Sequence, residues 1–153
     1  MKHTISVLVE NKFGVLARVA GLFSARGYNI SSLAVSETQD EAVSYMTIVV
    51  NAEDEKVLEQ IKKQLNKLID VISVTDFTRK DYIARELILI KIEAKDKIKD
   101  IVIKYPAKII EAKKDYFVIE IMGDENQIKN FMNDIGDFKV IELVKTGKIA
   151  MES

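Results

Sequence analysis

The sequence predicts an α+β chain that runs one plan twice: two ferredoxin-like βαββαβ units in tandem. Three observations lead there. Over residues 3–79, and again over 86–146, the apolar residues switch between a two-residue and a helical period in the same order. Turn-forming residues (Gly27, the polar run 37–41, Pro106, and Lys113-Lys114-Asp115) fall between the periodic runs. The chain has 153 residues, 48% of them apolar, which is enough for two small packed units.

Residues 3–9 alternate as a strand does, with Ile5, Val7 and Val9 on one face. From Gly14 the period lengthens, and Val15, Leu16, Val19, Leu22 and Phe23 form the apolar stripe of a helix. Gly27 stands where a left-handed stop is wanted, and Tyr28 falls where a Schellman cap packs back on Phe23. Residues 30–36 and 44–50 read as strands across the polar turn. A second helix over 54–67 carries Val57, Leu58, Ile61, Leu65 and Leu68, with Asn51 as its expected cap. A strand over 69–77 completes the unit, and the polar stretch 78–86 is the expected junction.

The second unit opens with a strand over 87–92 and a short helix bearing Ile98, Ile101 and Val102. Pro106 stops that helix, because the residue before a proline is pushed out of helical geometry. Strands over 107–112 and 116–122 form a hairpin. Asp124 caps a helix with Ile128, Phe131, Met132 and Ile135 at i, i+3, i+4, i+7, and 138–144 is the last strand. Residues 146–153 show no pattern and are expected to be mobile. The expected domains are 1–80 and 85–150. In this topology the strand order is 4-1-3-2, which leaves residues 30–36 on an edge. With Ile30, Leu33, Ala34 and Val35 and neither proline nor lysine, that edge invites pairing with a second copy of the chain.

Composition narrows the function. Lys and Arg number 23 against 24 Asp and Glu, a balance that argues against a nucleic-acid footprint. Cysteine is absent, so disulfides and thiolate metal sites are excluded. The opening residues lack a signal peptide's apolar run and no stretch approaches a membrane span, so a cytoplasmic location is expected. His3 is the only histidine, so neither zinc sites nor Ser–His pairs assemble readily, and no Gly-rich phosphate loop is present. No catalytic residue and no metal ligand is predicted.

The turn Asn11-Lys12-Phe13-Gly14 is the exception to this plainness, and the second unit has no counterpart. It joins a strand end to a helix start, where unpaired N–H groups and the helix dipole favour an anion. Glycine at 14 allows close approach to the backbone. A plain helix cap at Gly14 and a plain turn residue at Asn29 are the competing readings.

The run Asn11, Gly14-Val15-Leu16-Ala17-Arg18-Val19, Gly21-Leu22-Phe23-Ser24, Arg26-Gly27-Tyr28-Asn29-Ile30, Ser32-Leu33 resembles the amino-terminal ACT domain of acetolactate synthase (acetohydroxyacid synthase) small subunits. The likeness continues through Met46-Thr47-Ile48, Glu59-Gln60-Ile61, Lys63-Gln64-Leu65 and residues 67–71, and resumes at Arg85-Glu86-Leu87 and Lys91. Two positions depart from the family's pattern: Tyr45 replaces a usual arginine, and Lys145-Thr146-Gly147 stands where Arg-Thr-Gly is common.

The resemblance implies a non-catalytic regulatory subunit with no cofactor of its own. Its large catalytic partner would use thiamine diphosphate, Mg and FAD to condense two pyruvates, or pyruvate with 2-oxobutyrate. The small subunit would raise that activity and confer feedback inhibition by a branched-chain amino acid, valine foremost, then isoleucine or leucine. The family's effector lies between two ACT domains of a homodimer. Carried onto this sequence, Asn11, Gly14, Val15 and Leu16 would come from one protomer and Asn29 and Ile30 from the other. The second reading is a free-standing ACT-type amino-acid sensor regulating another partner, and the third is an enzyme of unknown type.

Overall fold

The computed structural model describes all residues, Met1–Ser153, and the chain divides into two units. The first comprises Met1–Ile83 together with Lys148–Ser153, and the second Ala84–Gly147.

In the first unit the elements run β1 (Lys2–Glu10), α1 (Val15–Ala25), β2 (Ile30–Glu37), β3 (Val43–Asn51), α2 (Glu55–Asn66) and β4 (Val71–Asp76). The sheet is antiparallel throughout, in the order β2-β3-β1-β4, so β2 is an edge strand. Register places Ile5 opposite Ile48 and Val7 opposite Met46, while Leu33 and Val35 of β2 face those same two β3 residues. Directly paired residues point to one face. That face carries Ile5, Val7, Val9, Met46, Ile48 and Val50 against Val15, Val19 and Phe23 of α1 and Leu58, Ile61 and Leu65 of α2. Phe23 is fully buried, and its truncation to alanine is the kind of change that costs about 3–5 kcal/mol.

Both helix ends of α1 are set by glycine. At the far end Gly27 has φ 71°, and Tyr28 N–H donates to Phe23 O at 3.0 Å while Gly27 N–H donates to Ser24 O at 3.1 Å. This is the Schellman pair, and Tyr28 packs on the core beside it as its position predicts. The cap of α2 is a correction. Asp54, not Asn51, immediately precedes the helix, and its Oδ1 accepts from Val57 N–H at 3.0 Å. Asn51 closes β3 instead, its N–H donating to Asn29 O at 3.2 Å. The single histidine, His3, is buried, with Nδ1 3.1 Å from Thr78 Oγ1.

The polar junction expected over 78–86 is shorter than its composition suggests. β5 (Tyr82–Glu93) begins within it, and the Tyr82 ring lies 4.9 Å from that of Phe77. The second unit continues with α3 (Asp96–Val102), β6 (Ala107–Ala112), β7 (Tyr116–Gly123), α4 (Glu125–Asp134) and β8 (Val140–Lys145). Its strand order, β6-β7-β5-β8, repeats that of the first unit. Ile88, Ile90 and Ile92 pack with Phe117, Ile119 and Ile121 under Ile98, Phe131 and Ile135. Asp124 and Gln127 form a capping box at the start of α4, with bonds of 2.8 and 2.9 Å.

Residues 146–153, expected to be mobile, are ordered. They include β9 (Ile149–Glu152), whose Ala150 is buried. From Lys148 onward the segment belongs to the first unit. No helix is long and apolar enough to cross a membrane.

Candidate functional site

β1 delivers the chain to Asn11-Lys12-Phe13-Gly14, and Gly14 turns it into α1. Gly14 sits at φ 82° and ψ −5°, the left-handed region where a β-carbon costs roughly 1–2 kcal/mol. Glycine therefore caps this helix, and it brings no side chain to satisfy the first N–H groups. Val15 N–H reaches back to Lys12 O at 3.3 Å, while the N–H groups of Leu16 and Ala17 have no partner. The first turn also lacks an acidic residue. The positive end of α1 is thus open.

Asn11 ties this turn to the β2–β3 connection. Its N–H donates to Ala42 O at 2.8 Å. Its Nδ2 donates to Glu41 O at 2.8 Å and to Glu37 Oε1 at 3.2 Å. Both amide hydrogens are therefore committed, which leaves Oδ1 as the available acceptor. Lys12 folds back on Glu10 at 2.9 Å, and the hydrogen bond to that carboxylate raises the Lys12 pKa above the ordinary 10.5. Phe13 is fully exposed at the tip of the turn.

Arg18, one helical turn beyond Gly14, supplies a second positive element that sequence reasoning did not single out as a site residue. Its Nε and Nη2 both donate to Asp70 Oδ2, at 3.1 and 2.5 Å. Asp70 is nearly buried, and its carbonyl accepts Glu10 N–H at 2.9 Å. The pair thereby ties α1, the end of β1 and the entry to β4 together. Arg18 Nη1 lies 3.1 Å from where a β-carbon on Gly14 would stand. The i, i+4 spacing of Gly14 and Arg18 was a legible signal. The Asp70 partner, 52 residues away, was not.

The remaining predicted residues divide. The side chain of Val15 is buried in the core, so only its main chain faces the turn. Leu16 is 43% exposed on the surface of α1. Asn29 and Ile30 lie beyond the other end of α1, which at 11 residues spans roughly 16 Å. Asn29 is exposed there, and Ile30 is half-buried opposite Val50. One chain brings together Asn11, Gly14, Val15 and Leu16, and does not bring Asn29 and Ile30 to them.

A four-stranded βαββαβ sheet with a glycine-capped turn leading into its first helix is the arrangement of an ACT-type domain, and that is the class of this protein. Residues 5–73 match the family model described as the AHAS small subunit-like ACT domain, and residues 85–153 match that for the small subunit of acetolactate synthase. The chain belongs to the acetolactate synthase small-subunit family. It is 48% identical to the probable acetolactate synthase small subunit of Archaeoglobus fulgidus, over 99% of this chain and 96% of that one. The Escherichia coli acetolactate synthase isozyme 3 small subunit is 39% identical, with 99% and 95% covered. The crystal structure of the acetolactate synthase small subunit from Thermotoga maritima superposes with a TM-score of 0.87 at 37% identity, covering 100% of this chain and 98% of that one.

Proposed function

We propose that this chain is the non-catalytic regulatory subunit of an acetolactate synthase in branched-chain amino-acid synthesis. It raises the activity of a thiamine-diphosphate-dependent large subunit in the cytoplasm and makes that activity answer to a branched-chain amino acid, valine foremost. The cofactors belong to the partner. The observation that carries the effector reading is the open N-terminus of α1, with two unpartnered N–H groups beside the Arg18 guanidinium. A zwitterionic ligand would place its carboxylate there. Asn11 Oδ1 would accept from the ammonium, and Leu16 would meet the branched side chain.

The geometry also supports a site shared by two chains. If two β2 edges pair about a two-fold axis, the start of one strand meets the end of the other. Asn29 and Ile30 of one protomer then approach Glu37 of its partner, and Glu37 is the residue to which Asn11 is bonded. The six residues would converge in the dimer although they are apart in one chain. A pocket of this kind separates side chains differing by one methylene by only about 1–3 kcal/mol, so valine, leucine and isoleucine are all to be tested.

The test is reconstitution with the cognate large subunit. Adding this chain should raise pyruvate-condensing activity, and one of the three amino acids should then lower it. Failure of the two folded chains to form a complex, with no gain of activity on mixing, would overturn the reading in favour of a sensor serving another partner.

A further inference from the structure

Residues of β1 and β3 that point away from the helices are small and mostly polar: Thr4 and Ser6 on β1, paired with Val49 and Thr47 on β3. All four are buried, Thr47 completely. Over this second face of the ACT sheet lies β9. Tyr45 Oη donates to Ala150 O at 2.6 Å, and Ala150 N–H donates to Thr47 Oγ1 at 3.4 Å. Both main-chain polar groups of Ala150 are thus met by side chains of β3, and Ala150 itself is 5% exposed.

The same segment reaches the edge strand. Lys148 N–H donates to Ser32 Oγ at 3.0 Å, and Ser32 flanks the register shift between Ile30 and Ser32. At its other end Ser153 N–H donates to Asp81 O at 3.2 Å, and Lys80 pairs with Glu152 at 3.5 Å. That last pair is half-exposed and contributes little. The Lys148–Ser32 bond therefore sits at the irregular start of β2, next to Ile30, while Asn29 O is held by Asn51 N–H of β3.

We infer that β9 is a clasp on the outer face of the ACT sheet, and that Tyr45, Thr47 and Ser32 are positioning residues through which it sets the effector response. The clasp stands on the contacts above. The link to effector response rests on the reading under Proposed function, because it assigns Asn29 and Ile30 to the ligand. β2 has only one ladder partner in the chain, β3. β9 itself pairs with β5, and its segment meets β2 through the Lys148–Ser32 bond. Releasing β9 therefore loosens the start of the strand that carries Ile30, without touching Asn11, Gly14 or Leu16.

The test uses the full chain with three substitutions. Ala150→Arg leaves no room for β9 on the sheet. Tyr45→Phe removes one hydrogen bond and keeps the ring, and Ala150→Ser is the conservative control. Two readouts are taken, each on variants shown by circular dichroism to be folded: amide hydrogen exchange across β2 in the isolated chain, and titration of the reconstituted enzyme with valine, leucine and isoleucine. Ala150→Arg should speed β2 exchange by about tenfold or more, and Tyr45→Phe by about two- to tenfold, the range of one lost hydrogen bond. The half-inhibitory effector concentration should rise by about 5- to 20-fold in Ala150→Arg, with activation in the absence of effector unchanged. Ala150→Ser should behave as the parent chain.

Unchanged β2 exchange in both Ala150→Arg and Tyr45→Phe would overturn the clasp. Faster exchange with an unmoved half-inhibitory concentration would overturn the positioning role and leave a clasp that serves the fold alone. A parent enzyme that answers to none of the three amino acids would overturn the effector reading and the positioning role together, and the exchange result would still decide the clasp.

Discussion

Gly14→Asp is expected to abolish effector inhibition while leaving activation of the large subunit in place. At φ 82° the added β-carbon costs roughly 1–2 kcal/mol of backbone strain. It also lands 3.1 Å from Arg18 Nη1, the end of a flexible side chain that moves a few tenths of an ångström at small cost. The new carboxylate gains a guanidinium neighbour, so the first unit should stay folded, with a melting point lower by about 4–8 °C per kcal/mol lost for a unit of this size. The same carboxylate stands in front of the open N–H groups of Leu16 and Ala17, where the ligand's own anion is proposed to bind. Coupling between effector and activity is typically about 1–3 kcal/mol, and losing the ligand removes all of it. Gly14→Ala carries the strain without the charge and separates the two effects. Reconstituted enzyme titrated with valine, leucine and isoleucine should show no inhibition for the aspartate variant and partial inhibition for the alanine variant. If the aspartate variant is inhibited at the parent's effector concentration, Gly14 is only a helix cap and the site lies elsewhere. Equal insensitivity of both variants would show that backbone geometry, not the added charge, governs binding.

The isolated chain should sediment as a dimer, and Val35→Lys on the β2 edge should shift it toward monomer; a dimer unmoved by that change would place the interface elsewhere. A chain ending at Ile83 lacks β9, leaving Tyr45 Oη and Thr47 Oγ1 without their partners, so its ACT unit should melt less stably than in the full chain by about 1–3 kcal/mol. Equal thermal stability by circular dichroism would count against any contribution from β9. For Asp76, burial alone would raise the pKa, but hydrogen bonds from the Thr78 hydroxyl and N–H, with the nearby Lys62, outweigh it and leave the group below the ordinary 3.8. A lowered folded pKa stabilises above the unfolded value, and that stability is lost as pH falls through the folded one. Thr78→Val should therefore move the acid-unfolding midpoint to higher pH, and an unmoved midpoint would refute the linkage.

Where local pattern and tertiary structure agree, the sequence was legible. The alternation of Ile5, Val7 and Val9, the stripe of Val15, Val19 and Phe23, and the Gly27–Tyr28 stop each report a contact made within a few residues. The strand order followed from topology, since both units share it. Failures occurred where the deciding partner is remote or the signal weak. Asn51 and Asp54 both have cap chemistry, and only the helix start at Glu55 chooses between them. Tyr82 and Ile83 open a strand inside a stretch whose charged neighbours made it look like a linker. Ile149-Ala150-Met151 is too short to show a period, and its partners Tyr45 and Thr47 are more than 100 positions away. At the candidate site, Gly14 and Asn11 were visible as turn chemistry. The engagement of both Asn11 amide hydrogens and the Arg18–Asp70 tie needed the fold to be seen.

The route of the chain gives β9 a meaning in time as well as in space. The first unit is interrupted in sequence by the whole second unit and is closed only by residues 148–153. On a translating ribosome, at about 5–20 residues per second, β3 waits roughly 5–20 s between its own emergence and that of the strand that covers it. During that interval the nascent ACT sheet shows a bare second face and a bare β2 edge at once. Two nascent chains on one messenger could meet by either surface. The late arrival of Ala150 over Tyr45 and Thr47 removes one of those choices, leaving the edge strand as the surface through which the proposed pairing of two copies would run.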